Sequence, residues 1–283
     1  NTEIKYTAPK NEALESFYDV AAQAPPGFQF FSPTSLGKWR KEVAQWLCDG
    51  QNACEVGPGK GYLVLHTAKV CSAPLDYLLL DISKAMLDAT KEKLNKIGNP
   101  FLHCHYVQCD IEGTLPSEVS LKSISRLVAV NVLQVVEAGT ALTNMKQVLM
   151  DGGILRTTLI DKETQDDFWQ DDPDYDPEKG LWYSSSCYHE ENCSKPMGYR
   201  LINGQEKPFY RQMQGYTKEE VIELFRSQDL EVQHIKQLVY PIEYVMKRWS
   251  SKYHFMRLND RQKGLLEKWQ GYPDGWSVTA VAS

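Results

Sequence analysis

The sequence predicts a doubly wound α/β fold, a mostly parallel seven-stranded sheet with helices on both faces. Three observations predict it. Strand-like and helix-like segments alternate from about residue 36 to residue 160, three glycines (Gly57, Gly59, Gly61) follow the first apolar run, and an acid, Asp81, closes the next one. Strands separated by helices of about 10–15 residues imply right-handed crossovers and parallel neighbours.

Taken in order, "SLGKWRKEVAQWLCDG" has apolar residues at helical spacing, with Ser35 as N-cap and Gly50 as the stop. "NACEV" is a short strand and "GYLVLHTAKVC" opens a helix. "DYLLLD" is a buried strand, followed by the helix "SKAMLDATKEKLNKIG", which ends at Gly98. "LHCHYVQCD" and "SRLVAVNVL" are strands, "ALTNMKQVL" is a helix, and "GGILRTTLID" is the fifth strand. Residues 162–215 break the pattern and form an irregular insertion. Regularity returns at "YTKEEVIELFRSQDLEVQHIKQL", where Thr217 and Glu220 make a capping box ahead of a helix and a strand. A basic aromatic helix, "IEYVMKRWSSKYHFM", then "DRQKGLLEKW" and a terminal strand, "WSVTAVAS", complete the sheet. The boundaries read as an N-terminal segment at 1–35, a core at 36–161, an irregular insertion at 162–215 and a C-terminal completion at 216–283, all in one domain.

Composition narrows the partners. With 283 residues, 42% of them hydrophobic and 24% charged, the chain can bury a sizeable core. A net charge of −6 gives no reason to expect nucleic acid. No apolar run approaches the roughly 20 residues that span a bilayer, so no membrane partner is expected. The polar opening, "NTEIKYTAPK", does not read as a signal peptide. Seven cysteines, with no CxxC pair, fit packed thiols in a reducing compartment, hence a cytoplasmic protein.

The glycines stand where strand meets helix, at the end of the sheet where such folds bind ligands. A side chain there would hold the backbone away from a ligand. Asp81 falls 20 positions after Gly61, the interval at which an acid grips a ribose. Lys60 is followed by Gly61 and Tyr62, which rules against a phosphate loop. Glu55, just ahead of the turn, is unfavourable beside a pyrophosphate and suits a cationic cofactor.

With these residues the chain resembles the class I S-adenosylmethionine-dependent methyltransferases over about residues 36–240. "EVGPGKG" looks like the first motif of that family, which lies against the methionine part of the cofactor; it covers Glu55, Gly57, Gly59 and Gly61. "LLLDIS" implies that Asp81 holds the ribose hydroxyls and Ile82 packs near the adenine. "QCDIEG" implies Asp110 at the adenine amino group and Ile111 at its ring. In "AVNVLQVV", Asn131 offers backbone contact to the cofactor and Gln134 faces the acceptor. Asp110 also reads as a turn-forming acid before Gly113, Asn131 and Gln134 as polar ends of a strand, and Met86 as core.

The resemblance implies S-adenosyl-L-methionine as cofactor, S-adenosyl-L-homocysteine as product, and an N-terminal helix over the site, with Tyr18 its foremost contact. Phe28, Phe30 and Phe31 read as anchors of that segment. The expected reaction is methyl transfer to a small molecule, with an amine nitrogen the leading acceptor and O- or S-methylation next. Residues 161–178 hold nine acids against one lysine, and aromatic faces among carboxylates suit a cationic or aromatic acceptor. Trp169, Tyr175, Trp182, Tyr183 and Tyr188 are the candidate walls, and Gln134, His189 and Tyr18 the candidate catalytic groups. An acidic loop with its aromatics packed beneath is the alternative. "HEEN" lacks the spacing of a zinc site, so no metal is expected. A protein methyltransferase, or a cofactor-binding protein that runs another reaction, also fits these motifs. The oligomeric state stays between monomer and homodimer.

Overall fold

The computed structural model describes residues 4–6, 9–23, 35–184, 196–202, 204–243, 245 and 258–283. Phe28, Phe30, Phe31, Tyr188 and His189 lie outside the described residues, as does most of the basic aromatic segment.

The chain opens with strand β1 (Ile4–Tyr6) and helices α1 (Lys10–Gln23) and α2 (Ser35–Cys48). The alternation read from sequence follows as β2 (Asn52–Val56), α3 (Tyr62–Val70), β3 (Leu75–Asp81), α4 (Lys84–Ile97), β4 (Leu102–Gln108), β5 (Ile124–Ala129), α5 (Ala138–Val148) and β6 (Leu149–Asp161). The caps are those that the residue types favour. Ser83 accepts from the Met86 amide at the start of α4, and Gly98 closes that helix at φ 64°. The strand expected over "SRLVAVNVL" ends at Ala129, because Asn131 takes the left-handed conformation and turns the chain out of the sheet.

Residues 162–215 hold more regular structure than their sequence shows. They contain α6 (Lys162–Trp169), β7 (Tyr175–Asp176), β8 (Leu181–Ser184), β9 (Gly198–Ile202), β10 (Gln205–Phe209) and β11 (Arg211–Tyr216). The helix is capped by Asp161 and buries Thr164, Gln165, Phe168 and Trp169, a stripe hidden among acids. Its companion strands are too short for an alternating pattern to register. The chain ends with α7 (Lys218–Arg226), whose Thr217–Glu220 capping box forms, then β12 (Leu230–Tyr240), α8 (Asp260–Trp269) and β13 (Tyr272–Ala282).

The central strands lie in the order β4-β3-β2-β5-β6-β13-β12. The first five are parallel, and β13 runs antiparallel between β6 and β12. Order reverses between β2 and β5, so a crevice opens above their carboxyl ends. Near that edge β11 leans on the end of β6 and carries β8 antiparallel, while β1, β9 and β10 form a separate three-stranded sheet. Apolar side chains fill both faces of the central sheet, one layer around Leu127, Leu142 and Phe225, the other around Leu47, Tyr77 and Leu79. Among the described residues no helix is long and apolar enough to cross a membrane.

At Gly275 a Cβ would come within 2.0 Å of the Leu159 carbonyl oxygen, backbone that cannot yield without parting β13 from β6. Gly275→Ala is expected to destabilise the chain by about 3 kcal/mol, read as an earlier denaturant midpoint. An unchanged midpoint would contradict this strand pairing.

Candidate functional site

The turn after β2 is left-handed at all three glycines, with φ of 65° at Gly57, 53° at Gly59 and 76° at Gly61. Two are forced by close neighbours. A Cβ on Gly57 would sit 2.5 Å from Val132 Cγ2, and one on Gly61 would sit 2.6 Å from Thr90 Cγ2. At Gly59 a Cβ would meet nothing within 4 Å. This middle glycine therefore faces open space, as a backbone built to lie against a ligand would.

Polar contacts lock the turn. Gly57 N donates to Leu80 O at 2.7 Å, Thr90 Oγ1 donates to Gly59 O at 2.8 Å, and Lys93 Nζ donates to Lys60 O at 3.0 Å. Asp81 ties the turn to β3: its Oδ2 accepts from Gly59 N at 3.0 Å and its Oδ1 from Ser83 N at 2.9 Å. The carboxylate is 7% exposed. Each oxygen keeps a further lone pair, the provision that a ribose diol needs. Burial raises its pKa to about 6, against the two amide hydrogen bonds that lower it.

Glu55 lies beneath the turn on β2, 2% exposed. Tyr77 Oη donates to its Oε2 at 3.0 Å. Burial lifts its pKa to about 7, while the hydrogen bond from Tyr77 and the charge of Arg40 pull it down. Arg40 was missed by the sequence reading. It is 5% exposed, lies 5.7 Å over the Tyr62 ring, and its charge acts on Glu55. Only the helix preceding the first strand could have signalled it.

Ile82, Asp110, Ile111 and Asn131 follow the carboxyl ends of β3, β4 and β5. Ile82 is half-buried against the lid cluster, and Ile111 is buried in the core. Asp110 Oδ1 accepts from Glu112 N at 2.9 Å, so one of its oxygens does form the turn before Gly113. Asn131, at φ 58°, is held through Thr158 Oγ1, which accepts from its amide and donates to its side chain, both at 2.9 Å. Met86 is 5% exposed, in the core.

Helix α1 lies over the crevice by three polar contacts: Lys10 with Glu112 at 3.1 Å, Glu15 with Gln108 at 2.9 Å, and Asp19 with Ser83 at 2.6 Å. Tyr18 packs in one cluster with Ile82, Leu14 and Tyr183. Asp19 and Ser83 had no sequence signal, because their meeting depends on where α1 docks.

Gln134, the residue expected to face the acceptor, follows β5, 6% exposed, with its carbonyl oxygen accepting from Gln214 N at 2.7 Å. Its side-chain Oε1 has no hydrogen-bond partner. The candidate aromatics divide into two groups. Trp169, Tyr175 and Trp182 pack with Phe168 and Tyr272, with Trp169 Nε1 donating to Tyr272 Oη at 3.1 Å. Tyr183 belongs to the lid cluster. The acids of the insertion have internal partners: Asp161 caps α6, Asp166 receives Lys162 and Tyr175, Asp171 pairs with Arg261, and Asp176 with Lys179.

Two tests follow from this geometry. Gly59→Ala is expected to lower stability by only about 1 kcal/mol, the strain of a left-handed alanine, yet to weaken S-adenosylmethionine binding at least tenfold; calorimetry showing full affinity would place the ligand elsewhere. An acid with a raised folded pKa loses its proton late, so cofactor affinity is expected to rise with pH through about 6 as Asp81 ionises and to flatten in Asp81→Asn. A flat wild-type profile between pH 5 and pH 8 would remove Asp81 from the site.

A family profile described as a methyltransferase domain matches residues 54–157. None of the curated proteins matches the chain. Among solved structures, the geranyl diphosphate C-methyltransferase of Streptomyces coelicolor A3(2), solved with Mg2+, geranyl diphosphate and S-adenosyl-L-homocysteine, is similar with a TM-score of 0.56 at 10% identity, covering 98% of this chain and 99% of that one. The [4+2]-cyclase SpnF is similar with a TM-score of 0.57 at 14% identity, covering 98% and 97%. An S-adenosylmethionine-dependent methyltransferase of Methanosarcina mazei scores 0.55 at 11% identity, covering 85% and 96%. Likeness at such identities establishes the fold, and the profile adds the sequence. The matched segment begins inside the strand that leads into the glycine turn and ends in the fifth strand of the sheet. On both grounds the chain has the fold of the class I S-adenosylmethionine-dependent methyltransferases, and its residues 54–157 match a methyltransferase domain.

Proposed function

We propose that this chain transfers a methyl group to a nitrogen or oxygen of a small molecule held between the loop after β5 and the ribbon formed by β8 and β11. The observation that carries this reading is the orphaned Oε1 of Gln134. A buried carbonyl oxygen without a donor costs about 1–3 kcal/mol, and an N–H or O–H of a bound acceptor supplies the donor. Gln134 is also well placed. Its loop contains Val132, the residue against Gly57, and its own carbonyl oxygen is pinned to β11.

In this reading Asp81 holds the ribose hydroxyls, Ile82 and Ile111 flank the adenine, Asp110 meets its amino group, and the turn from Gly57 to Gly61 lies along the methionine portion beside Arg40. When bound, S-adenosylmethionine supplies a methyl carbon already activated by its sulfonium. The protein then has to align and desolvate the acceptor. Gln134 accepts a hydrogen bond from the nucleophile and so turns its lone pair in line, while α1 keeps water out. An amine needs no dedicated base, which makes it the leading acceptor, with a hydroxyl second. Support from the acidic insertion is weak, since Asp166, Asp171 and Asp176 are already paired with lysines or an arginine. The free, largely buried thiols of Cys54, Cys71 and Cys109 fit a cytoplasmic setting.

A mass-spectrometric screen of small metabolites for an added methyl identifies the acceptor, and finding only unlabelled products would favour a cofactor-binding protein with another reaction. With an acceptor in hand, Gln134→Leu is expected to raise its KM about tenfold, the scale of one lost hydrogen bond, with cofactor affinity kept. An unchanged KM would sink the assignment of Gln134.

A further inference from the structure

Arg200, on the central strand of the three-stranded sheet, is 4% exposed, yet its Nε and Nη1 have no hydrogen-bond partner. Its guanidinium stacks 4.1 Å from the ring centre of Tyr183, which is 1% exposed and whose hydroxyl is likewise unpartnered. The carboxylate paired with Arg200 is Asp174, at 3.9 Å, beyond hydrogen-bond reach. An arginine cannot shed its charge on burial, and a buried charge short of partners is penalised by several kcal/mol. Guanidinium nitrogens only donate and a tyrosine hydroxyl can donate. What the pair lacks is therefore an acceptor, and an anionic one.

From this geometry we infer that Arg200 and Tyr183 form a subsite for an oxyanion, and that the methyl acceptor is a small molecule bearing a carboxylate. The inference rests on the proposed methyl transfer for its link to the acceptor. That link is structural. Tyr183 shares its cluster with Tyr18 of the lid and with Ile82, next to Asp81. Two residues away on β8, about 7 Å along the strand, Leu181 stands opposite Gln214, the residue that pins the Gln134 carbonyl. The subsite and Gln134 are thus joined through the ribbon of β8 and β11. Arg211, stacked 5.1 Å over Phe17 of the lid helix, adds a second positive charge to the same side.

The test uses the full chain loaded with S-adenosyl-L-homocysteine and pairs of probes that differ only in a carboxylate: phenylalanine against phenethylamine, and β-alanine against ethylamine. Calorimetry is expected to show at least tenfold tighter binding of the carboxylated member. That preference should vanish in Arg200→Met and fall several-fold in Tyr183→Phe, with cofactor affinity intact in both. Because the arginine is under-paired, Arg200→Met should melt no lower than wild type, whereas an arginine that serves only the fold would leave a destabilised variant with its preference unaltered. Equal affinity for the two members, a preference that survives Arg200→Met, or binding of inorganic sulfate and phosphate alone would each overturn the subsite. Retained carboxylate binding with no methylated product would instead count against methyl transfer and leave the subsite standing.

Discussion

The cofactor side of this protein depends on one backbone bend that has no room for side chains. Gly57 is closed in by Val132 and Gly61 by Thr90, so the turn is wedged between the loop after β5 and helix α4. Gly59, between them, is left open on its outer side and donates inward to Asp81. The carboxylate and the turn orient each other. A ligand that meets both finds its donors and acceptors already placed, so little ordering has to accompany binding.

That arrangement places two buried acids near one another. Glu55 under the turn and Asp81 beside it are both pushed up by burial, to about 7 and about 6, and the Asp81 charge adds only a small further rise at Glu55. Tyr77 and Arg40 steady the first, and main-chain amides steady the second. Glu55 is thus held by its own buried neighbours, while Asp81 has lone pairs to offer a ligand.

The acceptor side follows a different principle. Its aromatic residues are largely buried and stacked edge to face, and its acids are mostly answered by lysines, arginines and amides. What stands out there is the reverse of an acidic, aromatic cage: a few buried polar atoms, on Gln134, Tyr183 and Arg200, that the protein itself leaves unanswered. In a close-packed interior such atoms are rare, which is why they direct attention to a ligand better than charge content does.

The sequence by itself determined the alternation that builds the sheet, the helix end at Gly98 and the cap at Thr217, and the motifs at Gly57–Gly61 and Asp81, because each depends on neighbours within a turn or two of chain. The short strands and the helix between residues 162 and 215 escaped it, since two- to six-residue strands are too brief to show a period and acids masked the buried stripe of α6. Only the tertiary structure decided that Arg40 lies beside Glu55, that Asp19 of α1 meets Ser83, and that Tyr183 parts company with Trp182 to join Arg200. These contacts join residues from 15 to 64 positions apart, and at that separation packing of whole elements, not local preference, chooses which side chains meet.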